Sequence, residues 1–224
     1  KMKKKILVIA AHPDDEVLGC GGIIPKYVKL GFEAYIVFLT DGVSSRNSKI
    51  RKLNIKKRES DAKKSCKLLG FKNFFFNNLP DNELDKVSLL TIIRIIENVL
   101  KKVKPDIIYT HYENDLNIDH QIASKATFTA TRFYKKKHKI FTYEVLSSTN
   151  LNYGKLNSTF EPNYFVDIKN TISLKIKALK SYKDEIRKFP HPRSEKGIKI
   201  LANYRGMQSS LEYAEAFQLK KCVD

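Results

Sequence analysis

Residues 6–22 read ILVIAAHPDDEVLGCGG, so an apolar run is followed at once by a histidine, a proline and three acids. The run from Lys5 to Ala10 is short and rich in isoleucine and valine, which predicts a strand buried on both faces. A helix is predicted to follow, from about Glu16 to Leu30, and to end at Gly31. A fully buried strand that leads into a helix is typical of α/β proteins with parallel sheets.

The same alternation continues along the chain. Further strands are predicted at 33–39, 73–76, 106–110 and 139–146, and helices at 55–69, 87–103 and 121–136. Strands that alternate with helices long enough for crossovers predict a Rossmann-like, mostly parallel sheet with helices on both faces. In such a sheet the functional crevice lies beyond the carboxyl ends of the strands.

The C-terminal third has a looser pattern. It begins with a polar loop, followed by a predicted strand in YFVDI and a lysine-rich helix from Thr171 to Lys188. The segment from Pro190 onward is predicted to form a helical cap. Since 224 residues fit one sizeable domain, we expect a single domain over 1–224, with a sheet core at 1–146 and a C-terminal elaboration at 147–224.

The chain carries a net charge of +18, which invites comparison with nucleic-acid binding proteins. The excess is lysine spread along the whole chain, whereas specific readers of phosphates and bases favour arginine. We therefore expect no nucleic-acid partner and keep a basic nucleic-acid binding module as the alternative from another class. That alternative predicts salt-sensitive binding.

The sequence also bears on location and on cysteine chemistry. No apolar run approaches the roughly 18 residues of a membrane span. The apolar stretch near the start runs directly into acids, unlike a cleavable signal peptide, so we expect a cytoplasmic protein. The three cysteines are far apart and form no CxxC, which argues against both a disulfide framework and a thiolate zinc site.

Histidines and acids follow two of the predicted strands. Acids in the first turn of a helix are stabilised by its dipole, which accounts for one or two of the carboxylates at 14–16. It does not account for His12 beside them. A second strand-end loop, YTHYENDLNIDH, supplies His111 and His120 next to acids. Two loops of this kind at one edge of a sheet favour a shared divalent cation.

The stretches AHPDDEVLGCGG and NIDH resemble the signatures of the LmbE-like, or PIG-L-like, family of zinc-dependent sugar N-deacetylases. The segments TDG, RESDAKKSCKLLG, LPDNELD and YAEAF resemble further blocks of that family in the same order, so the resemblance covers most of the chain. It implies that His12, Asp15 and His120 bind Zn²⁺, with Fe²⁺ as an alternative. Two histidines and one carboxylate describe a catalytic zinc site with an open position.

The resemblance also implies a reaction. Asp14 matches the general base, which takes a proton from water, and Glu16 is expected mainly to start the helix. The substrate would be an N-acetylated amino sugar, free or linked to a nucleotide or a lipid. An amidohydrolase acting on a non-sugar amide is the alternative within the same chemistry, and the formation of a homo-oligomer is left open.

The chain departs from the family pattern at Asn117. The commonest motif has a histidine at this position, three residues before the ligand His120, and assigns it to the oxyanion or the leaving group. Asparagine can donate a hydrogen bond but cannot supply a proton near neutral pH. Either Asp14 also protonates the amine, or His191 in FPHPRSEKG does so on a loop that closes over the crevice, together with Arg193.

Two further residues are implied as substrate contacts, alongside Asn117. Arg58 resembles the family arginine that faces the sugar or its aglycone, and Asp81 resembles the acid that binds a sugar hydroxyl. Without the resemblance, a solvated helix face and a turn-forming PDN sequence would explain them equally well.

Overall fold

The computed structural model describes residues 3–46, 51–153 and 159–223, and these residues form one sheet covered by helices on both faces. The strands are β1 (Lys5–Ala10), β2 (Glu33–Thr40), β3 (Phe71–Leu79), β4 (Ile107–His111), β5 (His138–Tyr143), β6 (Tyr164–Asp167) and β7 (Ala214–Val223). Their order in the sheet is β3-β2-β1-β4-β5-β7-β6. The strands β1 to β5 pair in parallel, and β7 runs antiparallel to both β5 and β6. The predicted mostly parallel α/β fold is therefore confirmed.

The helices divide between the two faces of this sheet. They are α1 (Asp15–Cys20), α2 (Ile23–Lys29), α3 (Arg51–Leu69), α4 (Leu89–Val103), α5 (Ile118–Thr131), α6 (Ile172–Leu179) and α7 (Glu195–Met207). One core joins the sheet to α1, α2, α3, α6 and α7, and the other joins it to α4 and α5. Among the described residues, no helix is both long enough and apolar enough to cross a bilayer.

Strand β1 contributes to both cores, as its apolar sequence predicts. Ile6 and Val8 pack into the first core, whereas Leu7 and Ile9 pack into the second. All four side chains are fully buried, and each stabilises the fold by roughly 1.5–3 kcal/mol relative to an exposed position. This burial fixes β1 at the centre of the sheet and sets the place where its polar continuation emerges.

The strand order brings the two polar loops together. β1 pairs with β2 on one side and with β4 on the other, so the crossover connections leave β1 and β4 in opposite directions. A crevice opens at such a switch point, beyond the carboxyl ends of the strands. The loops that follow β1 and β4 both line it.

The predicted helix over residues 16–30 is in fact two short helices. The chain breaks at Gly21 and Gly22, where the Glu215 carboxylate accepts the N–H groups of Gly22 (2.7 Å) and Ile23 (2.7 Å). A side chain at Gly22 would also collide with Ile168, whose Cγ2 would lie 2.6 Å from the added Cβ. The break therefore depends on contacts that are remote in sequence.

The prediction of a purely helical cap after Pro190 is wrong for its last part. Helix α7 is present, but residues 214–223 form β7, which joins β5 to β6 within the sheet. The sheet therefore extends past the boundary set at residue 146. Strands disfavour Glu and Lys, which obscured β7 in the sequence, although Glu215 is buried there against Lys175. The assignment of the whole chain to a single domain stays a prediction.

Lys175 joins three elements behind the crevice. Its ammonium group donates to the carbonyl oxygen of Leu18 in α1 (2.7 Å) and to Oε1 of Glu215 in β7 (2.7 Å). Both charged side chains are buried. Removal of one partner of a buried ion pair leaves the other charge uncompensated, which is far more costly than loss of an exposed pair.

We therefore expect Lys175→Met to lower the free energy of unfolding by about 3 kcal/mol, measured by urea denaturation followed by circular dichroism. Lys180→Met is the matched control, because the Lys180 pair with Glu195 is solvent-exposed. The control should change stability little. If the two variants were equally stable, Lys175 would not have the structural role described above.

Candidate metal centre and active site

The two strand-end loops are tied together at the switch point. The N–H of Ala11, the first residue after β1, donates to Nε2 of His111 at the end of β4 (2.9 Å). The ring of His111 stacks on that of His120, with the centroids 3.9 Å apart. His111, which had no predicted role, therefore positions the first turn of α5 against the end of β1.

Three of the predicted residues meet in this place. His12 Nδ1 lies 3.2 Å from Asp15 Oδ2 and 3.2 Å from His120 Nε2, and Asp15 Oδ2 lies 3.4 Å from His120 Nε2. All three side chains are buried. The structure thus brings together the trio that the resemblance implies as metal ligands.

Carboxylates face the outer nitrogens of both histidines. His12 Nε2 lies 3.0 Å from Asp119 Oδ2, and His120 Nδ1 lies 3.1 Å from Asp115 Oδ1. Asp119 is itself fixed because it accepts the N–H groups of Asn82 (2.8 Å) and Leu84 (2.9 Å). Carboxylates in this position favour protons on the outer nitrogens and leave the inner nitrogens with free lone pairs.

The donor set therefore fits a cation. The inner nitrogens of the two imidazoles and the Asp15 carboxylate point at one another, and Asp15 Oδ1 is buried without a hydrogen-bond partner. Burial lowers the pKa of His12 and of His120, but the surrounding carboxylates outweigh it and raise the pKa values to about 10 and about 9. Without a metal the cluster therefore favours protonated imidazoles, and a divalent cation would supply the same positive charge by displacing the protons on the inner nitrogens. Histidine nitrogen and carboxylate oxygen are ligands that Zn²⁺ takes.

A second group of donors shares His12. Asp81 Oδ1 lies 3.4 Å from His12 Nε2, next to Asp119, so these three residues could also surround a cation. Asp119 already accepts two backbone N–H groups, and His12 Nε2 faces it directly. We therefore interpret this second group as the support that orients His12.

Asp14 lies beside the trio with its carboxylate held by two arginines. Its Oδ2 lies 2.8 Å from Arg193 Nη1 and 3.1 Å from Arg58 Nη2. Both guanidinium groups also contact Glu185, at 3.3 Å and 2.8 Å respectively. Burial raises the pKa of Asp14, and the two arginines oppose this effect only in part.

A cavity of about 300 Å³ opens over these groups. Of the residues predicted from sequence, it is lined by His12, Asp14, Arg58, Asp81, Asn117 and His120. Asp15 lies beneath the cavity, fully buried. The Asn117 side chain caps α5 by accepting the N–H of Asp119 (2.8 Å) and donates to Asn82 Oδ1 (2.8 Å).

His191 does not lie among the residues that line this cavity. It is exposed, and its Nδ1 accepts the backbone N–H of Arg193 (3.1 Å). Arg193 itself does reach the cavity, where its Nε donates to Ser147 Oγ (2.7 Å). The FPHPR loop is thus near the site as expected, but the residue it delivers is the arginine.

Sequence reasoning missed Glu185 and Arg46 altogether. Glu185 is buried and forms ion pairs with Arg46, Arg58 and Arg193. Neither residue belongs to a recognisable motif, so their meeting could be found only from the fold.

Comparison with known proteins gives consistent findings. The family model described as PIG-L, GlcNAc-PI de-N-acetylase, matches residues 7–131. The diacetylchitobiose deacetylase of Thermococcus kodakarensis is 27% identical over an alignment of 230 positions. This alignment covers 96% of this chain and 82% of that protein. A probable N-acetyl-alpha-D-glucosaminyl L-malate deacetylase of Bacillus subtilis is 25% identical, with 82% and 84% covered. The crystal structure of N,N'-diacetylchitobiose deacetylase from Pyrococcus horikoshii matches with a TM-score of 0.80 at 25% sequence identity. The match covers 96% of this chain and 83% of the Pyrococcus chain.

The support behind His12 can be tested separately from the trio. Asp119→Asn weakens the charge that faces the outer nitrogen of His12, so we expect the affinity for Zn²⁺ to fall roughly 10- to 100-fold, measured by competition with a chromogenic chelator. Asp85→Asn, an exposed acid in the neighbouring short 3₁₀ helix Leu84–Lys86, is the control and should bind as the parent does. An unchanged affinity in Asp119→Asn would contradict the assignment.

Proposed function

Because the chain belongs to the PIG-L, or LmbE-like, family of deacetylases, we propose that it is a metal-dependent hydrolase that removes the N-acetyl group from an N-acetylated amino sugar or its conjugate. The observation that carries the proposal is the position of Asp14, directly beside three converging metal donors and at the wall of a cavity. The names of two relatives, a diacetylchitobiose deacetylase and an N-acetylglucosaminyl malate deacetylase, support an amino-sugar substrate.

The proposed metal ligands are His12, Asp15 and His120, with Zn²⁺ as the expected ion and Fe²⁺ as the alternative. When bound, such an ion lowers the pKa of a water molecule towards about 7 and polarises the amide carbonyl. The carboxylates of Asp119 and Asp115 would hold the two imidazole rings in place for this purpose.

The protein's own part in the reaction centres on Asp14. Its carboxylate takes a proton from the attacking water while the water oxygen bonds to the acetyl carbonyl carbon. Arg193 lines the same cavity, and its contacts with Asp14, Glu185 and Ser147 use Nη1 and Nε. Its Nη2 is therefore the group that would stabilise negative charge on the amide oxygen. The C–N bond then breaks, the proton passes to the departing nitrogen, and the acetic acid that forms releases its own proton to solvent, so that acetate and a free amine leave.

Two residues are candidates for the group that protonates the departing nitrogen. Asp14 can return the proton that it took from water, because its carboxylate lies at the cavity wall. His191 stays the predicted alternative, but it is exposed and would have to move towards the cavity to reach the substrate. The arrangement of the described residues favours Asp14 in both roles.

The cavity also suggests how the sugar is held. Asp81 and Asn117 line it, and they offer the Asp81 carboxylate and the second N–H of Asn117 Nδ2, whose first N–H donates to Asn82, to sugar hydroxyls. Arg58 lines it too, but both ends of its guanidinium group are engaged, by Asp14 and by Glu185. We therefore propose that Arg58 acts mainly through Asp14, whereas Asp81 and Asn117 contact the sugar. Whether the sugar carries a nucleotide, a lipid or a second sugar is left to substrate profiling.

The central test of the function is Asp14→Asn. We expect it to lower kcat for amine release by about 10²- to 10⁴-fold at an unchanged metal content, because the amide cannot accept a proton from water. The substrates are N-acetylglucosamine, diacetylchitobiose and a nucleotide-linked N-acetylglucosamine, and amine is measured with a fluorogenic reagent. Asp85→Asn again serves as the control.

The outcomes of this assay separate the alternatives. Turnover of non-sugar acetamides alone would replace the sugar deacetylase with another amidohydrolase. Equal rates for parent and Asp14→Asn would exclude Asp14 as the base. If the metal-loaded protein hydrolysed no amide but bound nucleic acid in a salt-dependent way, the proposal as a whole would be wrong.

A pair of variants tests the FPHPR loop. We expect Arg193→Ala to lower kcat at least roughly 10-fold, since it removes a guanidinium group from the cavity wall, and His191→Ala to keep most of the activity. Steady-state kinetics of both variants, with their metal contents, decides the question. Loss of activity in His191→Ala with the metal retained would show instead that this histidine reaches the substrate.

A further inference from the structure

Asp14 has a backbone conformation that needs support. Its φ is 125° and its ψ is −22°, in a region that residues with a side chain rarely adopt. A residue held there is strained, and such strain persists only where the surrounding structure imposes it. The question is which contact imposes it at Asp14.

The side chain of Glu16 contacts the peptide of Asp14. Its Oε2 accepts the backbone N–H of Asp14 (3.0 Å), and its side chain is fully buried. Its Oε1 accepts hydrogen bonds from Ser65 Oγ in α3 (2.8 Å) and from Tyr182 Oη after α6 (2.7 Å). The carboxylate is therefore fixed by two elements outside its own helix and turned back onto the peptide of Asp14.

The same support reaches the Asp14 side chain by a second path. The guanidinium carbon of Arg58 lies 5.0 Å from the centroid of the Tyr182 ring, and Arg58 Nη2 lies 3.1 Å from Asp14 Oδ2. Tyr182 thus contacts both Glu16 and Arg58, and these two hold the backbone and the carboxylate of Asp14. The contacts form a closed loop through Asp14, Glu16, Tyr182 and Arg58.

A purely local role for Glu16 does not account for these contacts. An acid in the first turn of a helix is stabilised by the helix dipole even when it is exposed, and it needs no partner from other helices. Glu16 instead is buried, at the cost of desolvation, and within the described part of the chain the hydrogen bonds that compensate it come from Asp14 and from the two hydroxyls.

We propose that Glu16 is a positioning residue for the reaction: it holds the peptide of Asp14 in its strained conformation, so that the Asp14 carboxylate faces the cavity. The inference rests on the proposed function, in which Asp14 is the general base. It assigns to Glu16 a role beyond starting the helix, and it extends the catalytic support to Ser65 and Tyr182.

Two substitutions at Glu16 separate positioning from packing. Glu16→Gln keeps a carbonyl oxygen that can accept the Asp14 N–H, while its amide group can donate to the two hydroxyl oxygens. Glu16→Met has a similar length but no such acceptor. We expect Glu16→Met to lower kcat by about 10- to 100-fold at an unchanged KM and zinc content, because small displacements of a catalytic group have effects of this size. Glu16→Gln should keep kcat close to that of the parent.

Glu16→Met alone would leave two buried hydroxyls without an acceptor and could fold poorly. A triple variant that combines Glu16→Met with Ser65→Ala and Tyr182→Phe removes these hydroxyls. It is compared with the double variant that carries only Ser65→Ala and Tyr182→Phe. The double variant should itself lose part of its kcat, because its two missing hydroxyls hold the Glu16 carboxylate, and the triple variant should fall further, to about 10- to 100-fold below the parent. Glu144→Gln, which weakens a buried ion pair with Arg205 away from the cavity, controls for loss of stability without loss of kcat.

Crystal structures of the parent, Glu16→Met and the triple variant provide a readout that needs no activity. The proposal expects the φ of Asp14 to relax to a negative value in both variants. An unchanged φ near 125°, or an unchanged kcat in the folded triple variant, would overturn it. If the parent hydrolysed no amide at all, the proposed function would fail, and the structures alone would decide whether Glu16 holds Asp14.

Discussion

The burial of several carboxylates at one edge of the sheet is the constraint on which the rest of the site depends. Asp14, Asp15, Glu16 and Asp119 are each 0–1% exposed. A buried carboxylate is tolerated only when charges or hydrogen bonds replace its water. Neighbouring elements supply these charges and hydrogen bonds, and the different partners give the four similar acids different surroundings.

Those partners explain the chemistry of the site. Arginines face Asp14, hydroxyls and a peptide N–H face Glu16, and backbone N–H groups together with His12 satisfy Asp119. Asp15 differs, because it faces the inner nitrogens of the two imidazoles and keeps one oxygen without a partner. Among these four carboxylates it is the one whose surroundings a bound cation would complete, and Asp14 is the one that lies at the cavity beside it.

Local sequence predicted the centre of the molecule well. The bounds of β1 are confirmed because its residues are apolar on both faces and its ends are polar. The meeting of His12 with His120 followed from a general property of parallel sheets, whose carboxyl ends share one edge. The proximity of these side chains was therefore within reach of a sequence argument, whereas the role of His12, Asp15 and His120 as metal ligands is implied by the family resemblance and stays a proposal.

The remainder depends on contacts that no local pattern reveals. Arg193 pairs with Asp14 across 179 positions of sequence. Glu185 forms ion pairs with three arginines although it belongs to no motif. Glu215, which lies in β7, accepts the backbone N–H groups at the break between α1 and α2. The charged residues of β7 hid this strand from sequence analysis. Charge pairing through space decides these features, and it becomes visible only when the fold is known.

The most direct test of the account is anomalous diffraction at the zinc absorption edge from crystals of the zinc-loaded protein. The account predicts a single strong peak between His12 Nδ1, Asp15 Oδ2 and His120 Nε2, with Asp14 beside it and outside the coordination sphere. A strong peak elsewhere, or an active protein with no metal at this place, would contradict it.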